Sequence, residues 1–299
     1  MKLGCVIQGD IRRGTNYVVD FLHNKFDLVI LSTWEGCEDN IPKGDFITLF
    51  NKKPFSAGMS NRNYQRLTTA NGIKAAKEAG CNYVLKCRTD MLISKFDPVT
   101  FIDFANSDPP GDAGSRLVMP AFRNLSVQPD WFSSIPDIFS FGSLEEMELL
   151  WGDDGFNYTT ELNFPEQMKR ENLVDSGFKE KLADIYPPES ELYAIYKSRL
   201  QIRAGRNLSH PTIAKNYLRL VDHQKLGIFW FSNSGGFRSV GQAWEHPWWT
   251  ETIWRNGREV TVPIGFGIAY FSGGIRRLIS KVRILFEKII QTIKWSYTK

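Results

Sequence analysis

The chain lacks any run approaching the ~20 consecutive apolar residues that a membrane span requires. The apolar start, Leu3 to Ile7, is broken by Gln8, Gly9, Asp10, Arg12 and Arg13, too early for the h-region of a secretory leader. The chain is therefore expected to stay on the cytoplasmic side, where the sequons at Asn124, Asn157 and Asn207 would have no glycosylation to serve. No GxGxxG is present, which argues against a nicotinamide or methyl-donor Rossmann site. The four cysteines, Cys5, Cys37, Cys81 and Cys87, have no paired metal spacing and read as small buried apolar residues of a reducing compartment. Strong charge is also missing. A net +4 over 299 residues does not point to nucleic acid. There is no internal repeat and no low-complexity linker. What is left is the composition of an ordinary globular protein with enough chain for a sizeable core, as one large domain or two modest ones.

The most informative stretch is Tyr83-Val84-Leu85-Lys86-Cys87-Arg88-Thr89-Asp90, a short apolar strand running into an Arg-Thr-Asp tip. Further strands are expected at Leu3 to Ile7, Phe26 to Trp34, Phe46 to Phe50, Leu117 to Pro120 and Asp137 to Phe141. Helices are expected at Asn16 to Asn24, Asn61 to Gly80, Leu144 to Trp151 and Glu189 to Arg203. Ser60 or Asn61 is the expected cap of the second and Ser143 of the third, with Glu145 and Glu146 in its first turn. Strands alternating with helices at these lengths argue for right-handed βαβ units and a mostly parallel sheet. Residues 222–268, rich in Trp, Gly and Pro, read as short strands and loops.

In such a sheet, ligands bind beyond the carboxyl ends of the strands. Asp90 sits at one such end. It is either a ligand of a divalent cation that holds a diphosphate, the logic of a nucleotide-sugar site, or an ordinary turn acid. Thr89 is a donor contact or a local backbone partner. Gly9 and Asp10, after the first strand, fit the place of base and ribose, since a small residue admits a close ligand and an acid accepts from hydroxyls; a plain Gly-Asp turn is the alternative. Asn61, Arg62, Asn63, Gln65 and Arg66 gather at one helix start, either as anion contacts or as a capped, solvated end. Asp137 is a donor-sugar contact or structural. His223 and His246 are candidate late metal ligands or packing residues. Trp244, Trp248, Trp249 and Trp254 either stack on sugar rings or fill the core.

Leu31-Ser-Thr-Trp34, Asn61-Arg-Asn-Tyr-Gln-Arg66 and the strand ending at Arg88-Thr89-Asp90, in this order, resemble the WavE family of lipopolysaccharide-synthesis proteins over roughly residues 1 to 150. The resemblance implies a GT-A-like, Rossmann-type α/β fold, with a mostly parallel sheet flanked by helices and a mixed acceptor-side region. It also implies a glycosyltransferase with a nucleotide-sugar donor, a cell-surface glycan or lipid-linked acceptor, and a divalent metal, Mn or Mg. The expected metal ligands are Asp90 and His223. Donor contacts are expected from Gly9, Asp10, Asn61, Arg62, Asn63, Arg66, Arg88, Thr89 and Asp137. Arg88 stands where many such enzymes carry a first acid, and its guanidinium fork can instead pair with phosphate. An inverting transfer needs a carboxylate base. Glu189 and Glu191 at a helix start, and Glu166 in Phe-Pro-Glu-Gln-Met, are rivals for it; each also reads as a surface acid at a helix N-terminus. A sugar-nucleotide nucleotidyltransferase would need a basic loop near the N-terminus, of which Arg12-Arg13-Gly14 is a faint version. A non-catalytic, membrane-associated glycan-binding protein would need no Asp90.

Residues 275–295 place Ile275, Leu278, Ile279, Val282, Leu285, Phe286, Ile289, Ile290 and Ile293 on one helical stripe. Six cations (Arg276, Arg277, Lys281, Arg283, Lys288, Lys294) and one acid, Glu287, flank it. The expectation is an amphipathic helix lying on an anionic membrane surface, the inner face for a cytoplasmic protein; the rival is a helix packed on this protein or a second subunit. Three regions follow: 1–120 as the nucleotide-sugar-binding half, 121–270 as the acceptor-side and catalytic half, and 271–299 as the basic tail.

Overall fold

The computed structural model describes residues 1–12, 14–55, 57–58, 61–120, 135–153, 188–221, 223–231 and 237–239. In chain order the first half gives β1 (Leu3–Gln8), α1 (Thr15–His23), β2 (Leu28–Trp34), β3 (Ile47–Asn51), α2 (Arg62–Glu78), β4 (Tyr83–Arg88), β5 (Met91–Ile93), α3 (Pro98–Asn106) and β6 (Leu117–Pro120). Then come β7 (Ser140–Ser143), α4 (Leu144–Trp151), α5 (Pro188–Ala204), α6 (His210–Asn216), β8 (Leu218–Val221), α7 (His223–Leu226), β9 (Ile228–Phe231) and β10 (Phe237–Ser239).

Seven strands form one sheet in the order β3-β2-β1-β4-β7-β6-β8. The β3-β2-β1-β4 half is parallel throughout, and β7 alone runs against the other six. The α/β class read from the alternation of strands and helices is therefore present, with the mixed part confined to the β7 neighbourhood. Among the described residues no helix is long and apolar enough to cross a membrane.

Strand side chains alternate between the sheet faces, so each buried strand feeds two cores. Cys5, Ile7, Val29, Leu31, Leu85 and Cys87 pack with α1, α3 and a phenylalanine cluster, Phe96, Phe101, Phe139 and Phe141. Val6, Ile30 and Val84 face the other way, against α2, α4 and α5. Gly72 lets α2 lie close on β1: a Cβ there would stand 2.3 Å from Val6 Cγ1. Glycine costs about 1 kcal/mol in a helix interior relative to alanine, and here it admits the strand.

The cap of α4 is as expected, with Ser143 Oγ accepting from the Glu146 amide. Glu146 stands in the first turn as expected. It is fully buried and held by both terminal nitrogens of Arg203 from α5, with Nη2 to Oε2 at 3.2 Å. Two expectations are corrected. The strand expected at Asp137 to Phe141 is shifted to β7, whose ladder with β4 begins at Lys86↔Ser140. Asp137 precedes it because its carbonyl accepts from the Lys86 ammonium and the Gln65 amide rather than from a strand. The Asn61 side chain does not cap α2: Asn61 is left-handed (φ 64) and makes no capping bond, while its amide donates to Gly58 O at 3.2 Å; Ser60, the other expected cap, lies outside the described residues.

A second, three-stranded ribbon, β10-β9-β5, lies beyond the tip of β4. It ties late residues to early ones. Phe231 donates its amide to the Asp90 carbonyl at 2.9 Å, packs against Gly14 and stacks on Tyr17 with ring centroids 5.9 Å apart.

Candidate functional site

The chain runs outward from β1 through β2 to β3, then returns to lay β4 on the other side of β1. The split between the loops after β1 and β4 is the position where open α/β sheets bind ligands. A crevice opens there, with about 160 Å³ of free space. Of the expected donor contacts, Gly9, Asp10, Asn61, Arg88, Thr89 and Asp137 line it, together with Asp90.

The two loops are stitched together. Thr89 donates its amide to Gln8 O at 3.1 Å and its hydroxyl to Asp10 O at 2.7 Å. Thr89 thus bonds backbone, as one reading allowed, but across the crevice rather than locally. Gly9 has φ +122, a conformation side chains rarely adopt, and a Cβ there would stand 3.2 Å from Thr89 Oγ1.

Beneath this stitch sits a charge network. Asp90 is 1% exposed, and both its oxygens meet guanidinium groups. Arg88 Nε reaches Oδ1 at 2.8 Å and its Nη2 reaches Oδ2 at 3.1 Å. Arg12, from the loop after β1, also donates to Oδ2, and its Nη2 lies 3.8 Å from the Asp10 carboxylate. Burial works against the Arg88 charge, but the hydrogen bond and negative charge of Asp90 outweigh it and hold its pKa above the usual value.

The donor set at Asp90 does not fit a metal ion. A divalent cation set at ~4 Å from one guanidinium would be repelled by about 8 kcal/mol at an effective dielectric of about 20, and here there are two guanidiniums. Among the described residues no three acid, histidine or cysteine side chains cluster in a way that could hold a metal. The side chain of His223, the other expected ligand, lies outside the described residues, as does His246.

One wall of the crevice is aromatic and basic. Trp34 ends β2 and meets Tyr64 of α2 with ring centroids 5.0 Å apart, and Lys53 Nζ lies 5.7 and 5.8 Å from the two rings. Asp137 brings a carboxylate to the lining. Asp137 accepts from Gln65 Nε2 through its carboxylate and from Lys86 Nζ through its carbonyl. Lys86 is fully buried in β4, with its ammonium 4.6 Å over the Trp151 ring. Burial lowers its pKa to about 8, against the pull of Asp137. Glu189, at the start of α5, feels the same groups: burial first, then the Asp137 charge, raise its pKa, and Arg88 and Lys86 oppose them.

The helix start divides. Asn61, Tyr64 and Gln65 face the crevice. Arg62, Asn63 and Arg66 lie instead on the buried face of α2 that continues through Thr69, Ala70 and Ile73, and none of the three lines the crevice. Of the three rival bases, Glu189 feels the charges of Asp137, Arg88 and Lys86 but does not line the crevice, while Glu166 and the Glu191 side chain lie outside the described residues. So do Trp244, Trp248, Trp249, Trp254 and the tail at 275–295.

Arg12 and Lys86 were not singled out as site residues from the sequence. The signal for Arg12 was the basic Arg12-Arg13-Gly14 step after the first strand. For Lys86 it was a lone cation inside an otherwise apolar buried strand, which needs a reason to be there.

No family model matches the chain, and no curated protein matches it. Solved structures do resemble it. A glycosyltransferase involved in the glycosylation of the major capsid of PBCV-1 is 9% identical with a TM-score of 0.30, covering 58% of this chain and 77% of that one. HddC from Yersinia pseudotuberculosis, complexed with GMP-PN, is 13% identical with a TM-score of 0.32, covering 54% and 82%. A197 from STIV is 9% identical with a TM-score of 0.35, covering 79% and 93%. Likenesses this weak transfer neither activity nor ligand.

Proposed function

We propose that this protein is a GT-A-like glycosyltransferase that moves a sugar from a nucleotide-sugar donor to a cell-surface glycan or lipid-linked acceptor. The observation that carries the reading is the crevice at the β1/β4 switch point. Its lining combines the guanidinium groups of Arg12 and Arg88, the aromatic-basic cluster of Trp34, Tyr64 and Lys53, and the carboxylates of Asp10, Asp90 and Asp137. That set of groups suits a ligand with a flat base, a diphosphate and a sugar. In an inverting transfer the acceptor hydroxyl would give its proton to Glu189 as its oxygen bonds the donor anomeric carbon. The bond from that carbon to the phosphate oxygen would break, and the nucleoside diphosphate would leave with the electron pair. Positive charge at the crevice floor would stabilise the leaving group. The motif resemblance to WavE proteins supports lipopolysaccharide or similar surface polysaccharide as the product class.

One observation favours a second reading. Arg12 stands in the crevice, where a sugar-nucleotide nucleotidyltransferase would need its basic N-terminal loop. Purified protein incubated with a panel of nucleotide sugars, and separately with nucleoside triphosphates plus sugar 1-phosphates, separates the two. Release of nucleoside diphosphate supports the first and release of pyrophosphate supports the second. Silence in both panels would leave a glycan-binding protein. In the transferase, Glu189→Gln is expected to cut turnover at least a hundredfold. Because the Glu189 carboxyl is held above its usual pKa, wild-type activity should fall with acid at a higher pH than for an ordinary glutamate.

The same reading places the enzyme on the inner face of the membrane through residues 275–295, near a lipid-linked acceptor. Flotation with anionic and neutral vesicles tests this. Full-length protein should float with anionic vesicles only, and a chain ending at Gly274 with neither. Equal behaviour of the two chains, or loss of folding on truncation, makes 275–295 a structural helix.

A further inference from the structure

Resting on the nucleotide-sugar reading, we infer that the diphosphate is held without a metal, by a two-arginine clamp of Arg12 and Arg88, and that Asp90 positions this clamp. The Arg-Thr-Asp tip occupies the place where a metal-binding acid was expected. What is built there differs. The one carboxylate at the floor is buried and committed on both oxygens to guanidinium groups. Those guanidiniums come from different loops, one after β1 and one at the end of β4, and both line the crevice. Their side chains keep 31% and 25% of their exposure, whereas Asp90 keeps 1%.

Each guanidinium carries five N–H donors, and Asp90 takes only part of each fork. The remainder stands at the crevice, where planar forks match phosphate oxygens bidentately. Asp90 fixes the planes of both groups in advance. Its single negative charge also keeps two like charges together, while the exposed Asp10 carboxylate, 3.8 Å from Arg12 Nη2, is the anion a diphosphate would displace. The backbone holds Asp90 in turn: its carbonyl accepts from Phe231, and Thr89 beside it ties the β4 tip to the β1 loop. A diphosphate bridging the β1 and β4 loops and taking the place of Asp10 at Arg12 would meet guanidinium donors already positioned, which is the work a metal would otherwise do.

The test is calorimetry on the full chain with inorganic pyrophosphate and with a panel of nucleoside diphosphates, in chelator and in Mn²⁺. Binding in chelator should lie within about twofold of that in Mn²⁺. Arg12→Ala and Arg88→Lys should each weaken it at least tenfold. Asp90→Asn should weaken it by the same factor in both buffers, with circular dichroism reporting whether it folds; Arg12, being partly exposed, gives a variant that does not depend on that outcome. Tenfold or tighter binding in Mn²⁺, lost in Asp90→Asn, would make Asp90 a metal ligand and reject the clamp while sparing the nucleotide-sugar reading. Unchanged affinity in both arginine variants rejects the clamp as well. Pyrophosphate binding in chelator without binding of any nucleotide keeps the clamp and rejects the nucleotide-sugar reading. No binding of either probe in either buffer rejects both.

Discussion

Lys86, buried behind the crevice residue Asp137, gives the sharpest quantitative prediction. It is a fully buried ammonium in the central sheet, and its charge is paid for by one carbonyl, that of Asp137, and the face of Trp151. Its pKa falls from 10.5 to about 8, chiefly through burial. At about 1.4 kcal/mol per factor of ten, that fall corresponds to roughly 3 kcal/mol of stability withheld while the group is charged. Below pH 8 both folded and unfolded chains hold the proton, so the cost is present in full. Between about 8 and 10.5 the folded chain has shed the proton and the unfolded chain has not, so stability rises with pH. Lys86→Met keeps the volume and removes the titration. Urea denaturation of both proteins from pH 7 to 10 should show wild type gaining on the variant by up to about 3 kcal/mol above pH 8. Other titrations, including the raised thiols of Cys5 and Cys81, cancel in the difference when they are independent of Lys86. A difference that stays flat across pH 8 to 10 would refute the buried ammonium.

Two further predictions concern the frame. Gly72→Ala should destabilise by about 1–3 kcal/mol through overpacking on Val6, despite alanine's better helix propensity, and Val6→Ala in the same chain should recover part of the loss in chemical denaturation. Arg203→Ala leaves the buried Glu146 without its bidentate partner and should cost about 3–5 kcal/mol at pH 7. Burial already raises the Glu146 pKa against the pull of Arg203. Losing that pull raises the folded value further, so the variant's deficit should shrink as pH drops toward 5 and Glu146 takes up a proton; a deficit independent of pH would mean Glu146 is not buried as a charge.

β1, β2 and β4 were legible because they are short apolar runs bounded by turn residues, as strands covered on both faces are, whereas the edge strand β3 leaves Ile47 and Phe50 exposed. The helix Leu144–Trp151 was legible from its cap. The helix Pro98–Asn106 was equally marked, with Asp97 accepting from the Thr100 amide and proline at its first position, yet it was missed because Val99 and Asp103 blur its apolar face. The strand Met91–Ile93 is too short to show a period. At the site, strand-end logic pointed to Gly9, Asp10, Thr89 and Asp90, helix-start logic to Asn61, and the family resemblance to Asp137 as a donor contact; all six line one crevice. It could not show that Asp90 faces two guanidiniums rather than a cation. That depends on Arg12, 78 positions away and brought alongside only by β1 pairing with β4. Nor could it show that Arg62 and Arg66 turn inward, because the four-residue spacing that unites them on one helix face does not say which face meets the sheet.

The ribbon that fastens Asp90 to Phe231 has a consequence for the order in which the protein becomes competent. A chain emerging from the ribosome presents β1, α1 and the Arg-Thr-Asp tip once residue 90 is made. The strand that pairs Met91–Ile93, caps the Asp90 carbonyl and fills the space beside Gly14 arrives only at residues 228–231. Until then both arginine-bearing loops lack their shared buttress. The nascent protein would carry Arg12, Arg88 and Asp90 long before the ribbon that buttresses them.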